Sequence, residues 1–262
     1  PGDVLMNGGN DIFGNSGLIT GDVDLGDDND TYTGTGGGRV TGFINGGFGD
    51  DIFVIEATGQ NIDGGAGTND RVITSASLGV MRNVEVVYMR GSADIEVTGG
   101  ASGDKVWGNI GANVIEGEGG NDTLRGGNGD DTLDGGADDD FLYGESGQDV
   151  IIGGTGKDLM NGGGDADIFV FETVGDTGTT GATADIIKGF EHGVDQIDMS
   201  FISNASFIDT AAFSGGGNAE IRVQLLANNN SRLLVDADGN GTTDMMITML
   251  GQQTFDAGDF IL

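Results

Sequence analysis

GGASGDKVW, GNIGANVIE, GEGGNDTLR, GGNGDDTLD, GGADDDFLY, GESGQDVII, GGTGKDLMN and GGGDADIFV run head to tail from Gly99 to Val170. Glycine favours the first, second and fourth places, an acid the sixth and a large apolar residue (U) the eighth. The fourth segment, Gly126 to Asp134, satisfies G-G-x-G-x-D-x-U-x in full. Each unit is a six-residue turn followed by x-U-x. A three-residue strand sends U to one side and its two neighbours to the other. With U inward, successive repeats alternate between two facing sheets, and one coil takes two repeats, or eighteen residues. The reading is therefore all-β: a parallel β-roll, a form of β-solenoid. Its inward ladder is Val106, Ile115, Leu124, Leu133, Leu142, Ile151, Met160 and Phe169. Burying one such side chain contributes about 1.5–3 kcal/mol. Ordering nine residues costs about 1–2 kcal/mol each in backbone entropy. Apolar burial alone cannot hold this fold, so the turns must be tied together.

The turns carry the means. Glycine admits positive φ and close backbone approach, which lets carbonyl oxygens point into the gap between stacked turns. The sixth residue adds a carboxylate. Calcium takes six to eight oxygen ligands from groups of these two kinds. One turn supplies about half such a set, so an ion belongs between turns eighteen residues apart. The expected acid stacks are Asp104–Asp122–Asp140–Asp158 and Asn113–Asp131–Asp149–Asp167. Eight repeats make six such pairs, hence about six calcium ions. The candidate ligand turns begin at Gly99, Gly117, Gly126 (with Asn128), Gly135, Gly144 and Gly153. Departures are Asn113 at the acid position, Ser102, Asp138 and Asp165 at the fourth, and Asn109, Glu118 and Glu145 at the second. Aspartate also caps Gly-rich turns without metal. Eight copies in register favour calcium over that simpler role.

Residues 1–98 carry a looser repeat. VDLGDDNDTY (Val23 to Tyr32), INGGFGDDIF (Ile44 to Phe53) and IDGGAGTNDRV (Ile62 to Val72) align on Asp30, Asp51 and Asp70, about twenty residues apart. Gly46 opens a second full match, GGFGDDIFV. These add Gly46, Asp30, Asp51 and Asp70 to the candidate ligands. Short runs such as Val84 to Met89 favour strands. The region reads as irregular solenoid coils leading into the regular roll of 99–170, with a closing domain over 171–262.

The chain of 262 residues holds 54 Gly, one Pro, no Cys, and 43 acidic against 10 basic residues, a net charge of −33. Self-repulsion on this scale keeps a chain expanded unless cations bind. Nucleic acid is a poor partner, because phosphate binding needs Lys and Arg. Anionic polysaccharide and anionic membrane are disfavoured too, unless calcium bridges. No stretch reaches a membrane span, no N-terminal signal peptide is visible, and a disulfide framework is excluded. Pro1-Gly2-Asp3 is not a natural translation start, so the reading is of a fragment or a processed product.

The nonapeptide resembles the calcium-binding repeat of RTX (repeat-in-toxin) proteins. Phe171 to Ile202 resembles the segment that follows the roll in serralysin-type members. The matching positions are Asp185, Ile187, Phe190, Gly193, Asp195, Ile197, Asp198 and Ser200. Asp185 and Asp195 thereby join the candidate ligands, and Gly189 stands where the family carries an acid. Arg232 to Leu262 is similar to that family's C-terminal end, with Asp259-Phe260-Ile261-Leu262 resembling its secretion signal. The resemblance implies export by a type I secretion machinery through the C-terminus. It implies a secreted, extracellular or cell-surface place in a Gram-negative bacterium. Asp236-x-Asp238-x-Asn240-Gly241-x-x-Asp244 fits part of an EF-hand loop. Ile247 stands where a bidentate Glu belongs, so a hairpin turn is the better reading.

No H-E-x-x-H, G-x-S-x-G or phosphate-cradling loop is present, and His192 is the only histidine. A glycosidase-type carboxylate pair is the one catalytic arrangement left open, and most acids are already claimed by the turns. The expectation is a non-catalytic calcium-binding module, part of a surface-layer, adhesin or filament protein. The alternative is the export and folding module of a larger secreted enzyme or toxin. Two outer faces follow from the coil. One carries Lys105 and Trp107, Arg125, Phe141 and Tyr143. The other ends in Val150, Ile152, Ile168 and Val170, and region 171–262 is expected to fold back over these four. The Trp107–Arg125–Tyr143 row reads first as ordinary surface packing, with a partner surface for calcium-dependent self-assembly as the alternative.

Overall fold

The computed structural model describes residues 2–251 and 254–262. Pro1, on which the reading of a processed terminus rests, lies outside the described residues, as do Gln252 and Gln253 of the tail.

Short apolar triplets between glycine turns give short strands stacked in parallel. One wall is a 14-stranded sheet. It begins with Ile12–Asn15, Thr31–Gly34, Ile52–Ile55, Arg71–Thr74 and Val86–Met89, and passes unbroken into Lys105–Trp107, Thr123–Asn128, Phe141–Ser146, Leu159–Gly164 and Asp185–Lys188. The facing wall has two parts: a five-stranded sheet from Val4–Leu5 to Met81–Arg82, then a seven-stranded sheet from Glu96–Thr98 to Phe260–Ile261. Leu18–Ile19 and Arg39–Val40 form a small parallel pair of their own.

Register follows the sequence period. In the regular block Lys105 pairs with Thr123, Thr123 with Phe141 and Phe141 with Leu159, while Val114, Thr132, Val150 and Ile168 pair on the other wall. Every step is eighteen residues. Earlier steps vary: Thr31 pairs with Ile52 and Arg71 with Val86. The inward ladder from Val106 to Phe169 is 0% exposed throughout. It continues back through Tyr32, Phe53, Val72 and Val87 and forward through Ile187 and Ile197, giving one core.

The expected fold-back of 171–262 onto Val150, Ile152, Ile168 and Val170 does not occur. The region lengthens the stack instead. Asp185–Lys188 pairs with the Leu159 strand, Gln196–Asp198 with the Ile168 strand, and Phe260–Ile261 with Gln196–Asp198. Met245–Leu250 then pairs with Asp185–Lys188, and Ser231–Asp236 and Glu220–Leu225 follow antiparallel. The reason is the open end of the roll. Its last strands expose unpaired backbone and the edge of the core, which a further coil satisfies at once. The four outward aliphatics are half-buried, as residues Val150 and Ile168, and Ile152 and Val170, lie side by side in register.

Asp236 to Asp244 is a hairpin turn between two antiparallel strands. The Asp236 carboxylate accepts from the N–H groups of Asn240 and Gly241, and Asp244 Oδ2 from those of Ala237 and Asp238. Oxygens of Asp236, Asp238 and Asp244 lie within 4.8 Å of one another.

Candidate metal centre

A six-residue turn delivers its last residue to the mouth of the next strand, so acids of successive coils fall into columns. Along the 14-stranded wall the column reads Asp11, Asp30, Asp51, Asp70, Glu85, Asp104, Asp122, Asp140, Asp158 and Asp185. Except at Glu85, whose N–H bonds the Asp70 carbonyl, and at the terminal Asp185, each backbone N–H donates to the side chain one coil on. Asp11 donates to Asp30 Oδ1, Asp30 to Asp51 Oδ1 and Asp51 to Asp70 Oδ1, all at 2.7 Å, and Asp70 donates to Glu85 Oε2 at 2.8 Å. The chain resumes with Asp104 to Asp122 Oδ1 at 2.6 Å, Asp122 to Asp140 Oδ1 at 2.7 Å, and Asp140 to Asp158 and Asp158 to Asp185 at 2.9 Å. On the opposite wall Asn113 donates to Asp131 Oδ1, Asp131 to Asp149 Oδ1, Asp149 to Asp167 Oδ1 and Asp167 to Asp195 Oδ1, at 2.7–3.0 Å.

These bonds use one oxygen of each carboxylate. The other, Oδ2, is buried without a partner in Asp30, Asp51, Asp70, Asp122, Asp131, Asp140, Asp149, Asp158, Asp167 and Asp185. A buried carboxylate oxygen with no donor is costly, and native structures satisfy nearly all such atoms. Burial accordingly pushes the carboxyl groups up: Asp51, Asp70, Asp104, Asp149 and Asp158 to about 6, Asp122, Asp131 and Asp167 to about 7, and Asp140 and Asp185 to about 8. Neighbouring acids add to this, as Asp122 and Asp158 do at Asp140. The backbone bonds act in the opposite sense and are outweighed.

The first glycine of each turn forms the rest of the cradle. A Cβ on Gly117 would overlap both Asp122 Oδ2 and the carbonyl oxygen of Gly135, one coil on. The same pair of groups crowds Gly46 (Asp51, Gly64), Gly99 (Asp104, Gly117), Gly135 (Asp140, Gly153) and Gly144 (Asp149, Gly162), while Gly126 and Gly153 face Asp131 and Asp158. Oxygens from two stacked turns thus converge beside the orphaned Oδ2 of Asp51, Asp70, Asp122, Asp140 and Asp149. A set made only of hard oxygens, carboxylate and carbonyl, suits calcium, and the residues present fit that ion.

Some candidate residues are satisfied by the protein itself. Asn113 donates its amide to Asn109 Oδ1 and the Gly111 carbonyl and accepts from the Asn109 N–H. Asp195 accepts from the N–H groups of Asp167 and Glu191, and Asp104 Oδ2 from Gly100. Asn128 is exposed, and its N–H donates to the Asn109 carbonyl. The structure does not bring its side chain into either column.

Asp11 and Glu85 are column members that sequence reasoning missed. Asn10-Asp11-Ile12-Phe13 carries the same Asp-x-apolar signal as the later coils. Glu85 closes a coil of fifteen residues, where the longer side chain spans to the Asp70 N–H. The His192 side chain is 36% exposed. Its Nδ1 nevertheless lies 3.0 Å from both oxygens of Asp259, which is fully buried and also accepts from the N–H groups of Gly193 and Asp256.

The family model for the RTX calcium-binding nonapeptide repeat (four copies) matches residues 98–133, 107–142 and 134–169. Among solved structures, the AlgE6R3 subunit of the Azotobacter vinelandii mannuronan C5-epimerase, a solution structure, is similar. It is 23% identical, with 66% of this chain and 84% of that one covered and a TM-score of 0.40. No curated protein matches.

Proposed function

We propose, on the premise that residues 98–169 are RTX calcium-binding nonapeptide repeats, that the chain is a non-catalytic secreted module that folds when its aspartate columns take up calcium. The observation that supports this best is the buried, partnerless Oδ2 recurring in both columns. Bound calcium supplies the positive charge that these oxygens lack. Asp122, Asp131, Asp140, Asp149, Asp158 and Asp167 would hold it in the regular block, with Asp30, Asp51, Asp70 and Asp185 extending the set along the 14-stranded wall.

The chain's own residues set the rest of the behaviour. Without cations, a net charge of −33 and carboxylates stacked one per coil repel, and the thin ladder of Val106 to Phe169 does not offset the entropy of ordering the turns. Where calcium is scarce, as in a cytosol, the chain stays unfolded and competent for export by a type I machinery at its C-terminus. Where calcium is plentiful, outside a Gram-negative cell, binding free energy becomes folding free energy. The acid-rich solenoid, long for an export tag alone, favours a role in an extracellular structural or surface protein. Far-ultraviolet circular dichroism tests the reading. The expected result is a disordered chain in chelator and cooperative β-structure in millimolar calcium; an unchanged β-spectrum in chelator would refute it.

A further inference from the structure

The two outer faces of the solenoid differ in a way that the calcium columns do not explain. Take the two outward positions that flank each inward apolar residue. On the 14-stranded wall, from Thr31 to Lys188, these positions hold no acid, in a chain with 43. On the seven-stranded wall they hold no base, from Glu96 to Asp198. The strands starting at Lys105, Thr123, Phe141, Leu159 and Asp185 present in turn a cation (Lys105), a cation (Arg125), an apolar rung (Phe141, Tyr143), an apolar-led rung (Leu159) and a cation (Lys188). The strands starting at Val114, Thr132, Val150, Ile168 and Gln196 complete the same coils. They present an acid (Glu116), an acid (Asp134), two apolar rungs and an acid (Asp198). The patterns are complementary rung for rung. Both walls belong to one solenoid, so their rungs share one spacing of about 4.8 Å and stay in step along the axis.

We propose that two copies of this chain pack side by side, the 14-stranded face of one on the seven-stranded face of the other. Charge complementarity names the occupant. Glu116 lies directly opposite Asp134 in the parallel register, a like-charge pair that destabilises an isolated face and that Lys105 of a neighbour would neutralise, together with Arg125, whose guanidinium already pairs with Glu145 of its own chain at 2.9 Å and would be shared with the incoming acid. Phe141 and Val114 are 45% and 38% exposed and become covered. The faces of Tyr88 and Trp107 are turned to each other at 4.8 Å, and the Arg125 guanidinium lies 4.6 Å from the Tyr143 ring centre. The aromatic surfaces are thus occupied within the chain, which favours a flat protein face over a ligand that must stack on them. The contact uses two different surfaces, so it is heterologous and adds copies in a row rather than closing as a dimer. A face three residues wide is narrow, and the association is correspondingly weak.

This inference rests on the calcium-folded state, and the test separates the two. Multi-angle light scattering and sedimentation in millimolar calcium, at about 10–500 μM chain (the range suited to a small interface), read the mass. Circular dichroism on the same samples reads folding. The expected result is concentration-dependent growth that weakens as salt rises. The variant Lys105→Glu/Arg125→Glu should be monomeric alone, and so should Glu116→Lys/Asp134→Lys, each with association at least tenfold weaker. Mixed, they should associate again, because each keeps one wild-type face. Lys105→Gln/Arg125→Gln, a milder pair, should also weaken association should charge reversal disturb folding. A folded wild-type chain that stays monomeric throughout would overturn the proposal. So would association that all variants retain, which would place the contact elsewhere, such as at the open edge of Ile12–Asn15. A chain that fails to fold in calcium counts against the calcium reading itself.

Discussion

The backbone N–H of Asp122 donates to Oδ1 of Asp140 at 2.7 Å, eighteen residues away. One carboxylate thereby measures the height of a coil, while its second oxygen stays buried and free. Asp140 also stands between Asp122 and Asp158 in the column. Replacing it with Ala removes the acceptor for Asp122 and half of a cradle. Asp140→Ala should destabilise the calcium-loaded chain by about 2–4 kcal/mol and move the calcium midpoint to higher concentration. Asp140→Asn keeps an acceptor and should preserve the coil, yet still weaken calcium binding, as titration calorimetry would read.

Asn113 is the converse case. It occupies the acid position, and a Cβ on Gly108 would meet both Asn113 Oδ1 and the Gly126 carbonyl, so the cradle exists without the charge. Asn113→Asp should add a site and steepen the calcium dependence of folding. No change in bound calcium would count against the cradle as the determinant.

Proton linkage should run in opposite directions with and without the ion. In the calcium-free protein the folded-state pKa values of Asp51, Asp122 and Asp140 are raised to about 6, 7 and 8, against about 3.9 unfolded. Between these limits the folded state binds more protons than the unfolded state, so stability falls as pH rises. It is fully present below about pH 4 and lost through pH 6–8, the window of those raised values. Acidifying a chelated sample from about pH 8 to pH 5 should therefore promote β-structure. With calcium, protons compete for the same oxygens, and acidification should weaken binding. Circular dichroism at fixed temperature across this range checks both signs.

The roll keeps its turn shape where glycine is missing. Glu118 holds the second place of its turn at φ 75°, and Gly127 holds the same place at φ 110°. A side chain in this region is strained, and glycine is not. Glu118→Gly should stabilise the folded chain by about 0.5–1 kcal/mol, the strain relieved less the added chain entropy. Gly127→Ala should destabilise it, since its Cβ would also meet the Asn109 carbonyl. Thermal melts in calcium compare the pair.

At the far end, buried Asp259 gathers His192, Gly193 and Asp256 and holds the strand Phe260–Ile261 against Gln196–Asp198. Asp259→Ala leaves those donors unpaired and should cost about 2 kcal/mol or more. It should free the last strand to exchange amide hydrogen quickly. His192→Ala, at a more exposed group, should cost less than about 1 kcal/mol.

Much of this was legible in the sequence because the solenoid is nearly one-dimensional. Leu124 and Leu142 meet because they are eighteen residues apart, and Asp131 stacks on Asp149 for the same reason. Legibility ended where the period ended. Glu85 was hidden by a fifteen-residue coil and a change of acid. Asp185 and Asp195, 27 and 28 residues beyond their partners Asp158 and Asp167, were reached through resemblance rather than spacing. The pairing of Asp185 with Ile247 leaps across an antiparallel hairpin, and no local pattern encodes it. The outward aliphatics at Ile152 and Val170 signalled a need for cover. The free end of the stack was the stronger demand, and the chain met that one.

The central claim is that the orphaned column oxygens hold calcium and that folding depends on it. Native mass spectrometry of the chain, exchanged into millimolar calcium and then into chelator, reads ion count and compactness together. We predict about ten bound calcium ions, one for each partnerless Oδ2, in a compact chain, all lost in chelator with a shift to the high charge states of an extended chain. A compact chain that retains no calcium, or one equally compact in chelator, would contradict it.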